Sequence, residues 1–134
     1  MELDMYAEEM ISNYENPSHK RKLDSPSAKD HEENISCGDK IDVYVKITDG
    51  KIADMSFEGS GCVISMGTAN MVADAVKGKP LSSIEKMGKK ELLKIINVDP
   101  GPVRMHCATL VLRALKYAVL SYEKKPIDAD TKDL

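Results

Sequence analysis

Ile41-Asp42-Val43-Tyr44-Val45-Lys46-Ile47-Thr48-Asp49-Gly50-Lys51-Ile52-Ala53-Asp54-Met55-Ser56-Phe57 is the stretch that decides the fold. Ile41, Val43, Val45 and Ile47 alternate with Asp42, Tyr44 and Lys46, the period-two pattern of a half-buried strand. Thr48-Asp49-Gly50-Lys51 supplies a turn, and Ala53, Met55 and Phe57 continue as a second strand. The phase of the two apolar rows sets the register. A two-residue Asp-Gly turn would pair Val45 with Asp54 and mix opposite characters on one face. A three-residue turn with Gly50 in the left-handed region pairs Val45 with Met55 and Val43 with Phe57. The expectation is an antiparallel hairpin with that bulged three-residue turn and one apolar face.

Helical periodicity flanks the hairpin. Leu3, Tyr6, Ala7, Met10, Ile11 and Tyr14 mark a short opening helix closed by Pro17. Residues 16–29, with two prolines, three serines and the basic run His19-Lys20-Arg21-Lys22, read as an exposed, mobile loop. That run is a solvated loop surface, with docking of an acidic partner as its functional alternative. Beyond Gly59-Ser60-Gly61, the residues Val63, Met66, Ala69, Val72, Ala73 and Val76 predict a helix ending near Gly78, with Cys62 at its N-terminal edge. Pro80 restarts the chain into a short helix through Met87, and Lys89–Ile96 carries another. Val98-Asp99-Pro100-Gly101-Pro102 reads as a rigid connector. Leu110, Val111, Ala114, Leu115, Ala118 and Tyr122 define the last and longest helix, with Cys107 in its first turn. The predicted class is α+β: helices packed on one face of a small antiparallel sheet, one domain over residues 1–123, and a disordered tail over 124–134.

Composition narrows the function. The 134 residues suffice for one core. Five Tyr, one Phe and no Trp leave that core to Ile, Val, Leu, Met and Ala. A net charge of −3 lacks the clustered basic surface that nucleic acid requires. Residues 1–5 are acidic, without a signal core or transit-peptide character, and no apolar run approaches the ~18 residues of a membrane span. Three cysteines cannot all pair and show no C-x-x-C, so reduced thiols in a cytoplasmic setting are expected.

Those cysteines carry the chemistry. In Asn34-Ile35-Ser36-Cys37-Gly38-Asp39 a soft thiolate and a hard carboxylate lie two residues apart, with a glycine to turn the backbone between them. Cys62 and His106-Cys107 each follow a Gly- or Pro-rich connector and open a helix. There the helix N-terminus is expected to lower a thiol pKa and to keep His106 neutral. Taken singly, each residue has a plainer reading: a lone cysteine is most often a small buried hydrophobe, and an aspartate in a turn most often caps backbone. Together, Cys37, Asp39, Cys62, His106 and Cys107 form a candidate ligand set assembled from three distant segments. His19 and His31 read as surface residues without partners.

Tyr14-Glu15-Asn16-Pro17, Cys37-Gly38-Asp39, Gly59-Ser60-Gly61-Cys62-Val63-Ile64-Ser65 and Met105-His106-Cys107 resemble the U-type iron–sulfur cluster scaffolds: IscU, SufU and the N-terminal domain of NifU. The resemblance runs from about Leu3 to Tyr122. It implies a carrier without turnover of its own, on which sulfur from a cysteine desulfurase and iron from an iron donor join into a [2Fe–2S] cluster. The cluster then passes to apo acceptor proteins. It further implies that Cys37, Cys62 and Cys107 hold the cluster and that Asp39 and His106 are further or alternate ligands. Cys107 is then the favoured persulfide acceptor, and zinc is an alternative occupant. Three thiolates with one oxygen or nitrogen ligand leave a weaker corner than the four thiolates of a permanent cluster, which suits release. Whether a homodimer shares a cluster stays open.

The departures from the family pattern are specific. IscU carries Leu-Pro-Pro-Val-Lys before its His-Cys pair, read by a DnaK-type chaperone. The aligned Pro100-Gly101-Pro102-Val103-Arg104 lacks the leucine and one proline and has Arg for Lys, which weighs against that partner. Gly61-Cys62-Val63-Ile64-Ser65 and Arg104 are closer to SufU. Yet the chain lacks the insertion SufU carries before its last helix and has His106 where SufU has Lys. A zinc-bound persulfide acceptor is therefore the alternative function. A module whose metal only staples the fold stands behind it, since an Asp ligand and an open site argue against that reading.

Overall fold

The computed structural model describes residues 2–134, with side chains from residue 8 onward. The elements run α1 (Glu2–Glu15), β1 (Ala28–Asn34), β2 (Asp39–Thr48), β3 (Lys51–Ser60), α2 (Val63–Val76), α3 (Leu81–Glu85), α4 (Lys89–Ile96), α5 (Gly101–Glu123) and α6 (Ala129–Lys132). The three strands form one antiparallel sheet in the order β1-β2-β3. Ile41, Val43, Val45, Met55 and Phe57 are buried on one face, against Ala69, Val72 and Val76 of α2 and Leu112, Leu115 and Val119 of α5. Leu92 and Ile96 of α4 close the far side of that core. Among the described residues no helix is long and apolar enough to cross a membrane.

The hairpin register is the expected one, with Val43 opposite Phe57 and Val45 opposite Met55. Its origin differs. The turn has two residues, Asp49 and Gly50, both at positive φ (54° and 73°), and Thr48 pairs with Lys51. The extra residue lies inside the ladder, where Ile47 pairs with Ile52 but Lys46 pairs with Asp54, leaving Ala53 bulged. A tight Asp-Gly turn matches the strand twist, and the bulge then returns the apolar rows to one face.

Four expectations need correction. First, Ala28 and Lys29, expected to end the loop over residues 16–29, instead open the edge strand β1, which pairs along its length with β2. Second, the segment before β1 is anchored: the Phe57 N–H donates to the His19 carbonyl at 3.0 Å, and Arg21 pairs with Asp54 at 3.0 Å. Third, neither histidine stands alone. His19 Nε2 lies 3.3 Å from Asp74, and His31, on β1, lies 2.8 Å from Asp42 and 3.2 Å from Glu33. Those carboxylates raise the His31 pKa above its ordinary value, Asp42 contributing most. Fourth, residues 124–134, expected as a disordered tail, turn back onto α5 and form α6, with Thr131 buried and Asp128 capping it through the Thr131 N–H at 2.7 Å. Of the residues expected on the first helix, Leu3, Tyr6 and Ala7 have side chains outside those described. Met10 is buried against α2, where Gly67 has no Cβ to obstruct it.

Candidate metal centre

Three chain segments converge at one end of the sheet. The first is the β1–β2 connection. Asn34 shapes it twice, accepting the Gly38 N–H on its carbonyl at 2.7 Å and the Ser36 N–H on its side chain at 3.1 Å. Gly38 sits at φ +78°, a conformation glycine adopts without strain. Cys37 is thereby exposed at the tip, and Asp39, the first residue of β2, turns inward with only 4% of its surface accessible.

The second segment is the β3–α2 junction. Cys62 is the N-cap of α2: its backbone is extended, and its Sγ accepts the Ser65 N–H at 3.4 Å. The Cys62 thiol reaches Asp39 Oδ2 at 3.7 Å and Ser65 Oγ at 3.6 Å. Gly61 makes this approach feasible, because a Cβ there would collide with Ser65 Oγ and stand 2.9 Å from Asp39 Cγ. Ser65 was not singled out from the sequence as a site residue. Its signal was the capping spacing, a polar residue three after the N-cap.

The third segment is α5, which presents Cys107, buried to 6% exposure, with its Sγ 3.8 Å from that of Cys37. Here the helix-start argument fails. α5 begins at Gly101, with Pro102 accommodated in its first turn, so Cys107 is the seventh helical residue rather than part of the opening turn. The helix field fades within that first turn. Burial instead pushes the Cys107 thiol above its usual range, and the adjoining Cys62 and Cys37 sulfurs add to the effect. The neutral thiol is the favoured form until a cation arrives.

Cys37, Asp39 and Cys107 offer ligand atoms that all lie within 4.8 Å of one another. Cys62 adjoins this group through Asp39. His106 does not join it. That side chain is exposed and lines a neighbouring cavity with Glu33, Asn34 and Arg113. The donor chemistry suits a thiophilic cation: two sulfurs and a carboxylate in one group, a third sulfur beside them, and a buried carboxylate whose side-chain hydrogen-bond partner among the described residues is a thiol.

Residues 5–129 match the family model described as the NifU-like N-terminal domain. The chain belongs to that family. A relative from Thermotoga maritima, named iron–sulfur cluster assembly scaffold protein IscU, is 30% identical over 131 residues, covering 86% of this chain and 92% of its own. The zinc-dependent sulfurtransferase SufU of Bacillus subtilis is likewise 30% identical over 136 residues, covering 89% and 92%. The crystal structure of the N-terminal part of a NifU-like protein from Brucella abortus superposes with a TM-score of 0.73 at 19% identity. It covers 92% of this chain and 97% of that one, a likeness of fold. Homologues of this NifU-like domain are thus named both as scaffolds and as a sulfurtransferase.

Proposed function

We propose that this NifU-like domain assembles a transient [2Fe–2S] cluster from iron and desulfurase-derived sulfur and hands it to apo acceptor proteins. The observation that carries the reading is the convergence of Cys37, Asp39 and Cys107 within 4.8 Å, with Cys62 3.7 Å from Asp39. Iron and sulfide are the cargo. The protein's part is to gather thiolates from three segments and add one carboxylate, so that one corner of the cage is an oxygen ligand, weaker than a fourth thiolate. Cys37, exposed at the tip, is placed to meet incoming material, while the burial of Cys107 shields what has been built. Cys107 is retained as the persulfide acceptor and His106 as an alternate ligand. From its exposed position beside the neighbouring cavity, His106 needs a change of side-chain direction to take part.

The test is anaerobic reconstitution with ferrous iron, cysteine, a cysteine desulfurase and a thiol reductant. The reductant, together with the oxidation of iron, supplies the electrons that take persulfide sulfur to sulfide. A [2Fe–2S] absorption spectrum that moves to an apo-ferredoxin supports the scaffold. The equal likeness to a zinc-dependent sulfurtransferase favours one alternative: zinc occupies the same donors, and one thiolate leaves it to accept a persulfide. Tightly held zinc, no chromophore and an accelerated desulfurase would establish that second reading.

A further inference from the structure

The inner face of β1 is unusual for a strand packed on a helix. Ala28, Asp30, Glu32 and Asn34 point inward, so a nearly apolar-free strand faces α5. What spans the seam is one guanidinium. Arg113 donates from Nε to Glu32 Oε1 at 2.9 Å, from Nη1 to the carbonyls of Lys132 (3.4 Å) and Leu134 (3.3 Å), and from Nη2 to the Tyr117 hydroxyl at 3.2 Å. Its carbon also lies 5.1 Å from the Tyr117 ring centroid. All three nitrogens are engaged, and Glu32 is the partner on the sheet.

The two ends of this bridge lead to two of the thiols. Arg113 is six residues beyond Cys107 on α5, roughly 9 Å along the axis. Glu32 pairs with Ile41, and two residues further on Asn34 pairs with Asp39 and shapes the turn that holds Cys37. A rigid helix therefore joins Arg113 to Cys107, and a short strand joins Glu32 to Cys37 and Asp39. We propose that the Arg113–Glu32 bridge is a positioning device that holds Cys37 and Cys107 at ligand-pair separation across a seam with little apolar packing to fix it. The proposal rests on the reading of these donors as a metal-binding set. Arg113 touches no ligand atom and acts through β1 and α5. Groups that hydrogen-bond a metal ligand directly commonly change affinity by about 10–100-fold, and a bridge acting through two elements belongs at the lower end of that range.

The experiment titrates the full chain, metal-free and reduced, with Co(II), recording affinity by chelator competition and thiolate-to-cobalt charge transfer per bound ion. Thermal unfolding of each apo variant is measured alongside. Arg113→Gln and Glu32→Gln are each expected to weaken Co(II) binding about tenfold and to lower the charge-transfer intensity, since one thiolate no longer reaches. The exchange Glu32→Arg with Arg113→Glu is expected to recover both. Unchanged affinity and spectrum in the single variants overturns the proposal, as does an exchanged pair that recovers neither. Should Arg113→Gln fail to fold, Glu32→Gln and the exchanged pair decide. Wild-type protein that takes Co(II) without thiolate bands would instead refute the metal-centre reading, an outcome distinct from failure of the bridge.

Discussion

Under the proposed scaffold function, Asp39 is the buried residue that would separate holding a cargo from keeping it. Asp39 is 4% exposed and its carboxylate meets the Cys62 thiol at 3.7 Å, so a cation bound there would gain a buried oxygen ligand. An oxygen ligand is also the weakest corner of a mostly thiolate cage. Asp39→Ala is therefore expected to leave the bound cluster longer-lived and to slow transfer to apo-ferredoxin, followed by the loss of donor absorbance. A transfer rate equal to wild type would remove Asp39 from the release step. Gly61 makes the complementary case. A methyl there meets Ser65 Oγ and Asp39 Cγ together, so Gly61→Ala must turn the Ser65 and Asp39 side chains away from their places beside Cys62. The expected cost is about 1–3 kcal/mol of stability and a tenfold or greater fall in zinc affinity, read by denaturant titration and chelator competition. Neither consequence was legible from Gly59-Ser60-Gly61 as a string. A glycine there signals a break, and only the fold shows which atoms fill the missing side chain's place.

Elements were legible where burial was one-sided and apolar. α2 and α4 appear over the expected spans because their apolar residues recur at helical spacing, and β2 with β3 because alternation runs through Ile41–Ile47 and resumes at Met55 and Phe57 beyond the bulge. β1 was not legible. Its inward residues are Ala, Asp, Glu and Asn, so the alternation that marks a half-buried strand is missing, and the β2 ladder holds it in place. The start of α5 was hidden for another reason: Pro100-Gly101-Pro102 reads as a connector, yet a proline is well tolerated in a first helical turn. The polar seam that concealed β1 also makes it sensitive to pH. Burial first, then the hydrogen bond and charge of Glu32, raise the Asp30 pKa to about 8, against the opposing pull of His31 and Arg113. Arg113 also engages the Tyr117 hydroxyl on α5. A folded pKa above the unfolded one means that protonation favours the fold. The stabilisation is complete below the unfolded carboxyl pKa and disappears as pH rises through about 8. Asp30→Asn carries a permanently neutral group, so its melting temperature should fall less than that of wild type between roughly pH 5 and pH 9. A difference of a few degrees is expected. Parallel melting curves for the two proteins across that range would show that Asp30 is ionised in the fold throughout.

At the scale of the whole molecule, the candidate metal centre lies at one end of an apolar core that does not include its donors. The sheet face, α2, α4 and α5 bury their apolar residues on one another, while the donors come from the β1–β2 connection, the β3–α2 junction and α5. A bound ion therefore ties three segments that the core already holds near one another. That arrangement predicts a particular response to metal removal. Chelation should leave helix content and the cooperativity of unfolding intact, because no core residue loses its neighbours. It should nevertheless lower the melting temperature, because an ion that binds only the folded state stabilises it by about 2.7 kcal/mol at a hundredfold excess over its dissociation constant. For a chain of this length the shift is on the order of 10 °C. Two cysteines separate the terms. Cys37 is exposed, so Cys37→Ser should abolish most of the zinc-dependent increment and leave the apo melting temperature unchanged. Cys107 is buried at 6% exposure, so Cys107→Ser should lower the apo value as well. The change leaves a hydroxyl out of water beside the Cys37 and Cys62 sulfurs, which are weak hydrogen-bond partners. The decisive comparison is the circular dichroism of wild-type protein at 25 °C before and after chelation. Retained helix with a lower midpoint is the behaviour of a site that loads and unloads a cargo on a preformed fold. Collapse of the helical signal on chelation would mean that metal is required to build the fold, and would move the protein to the class of zinc-stapled modules.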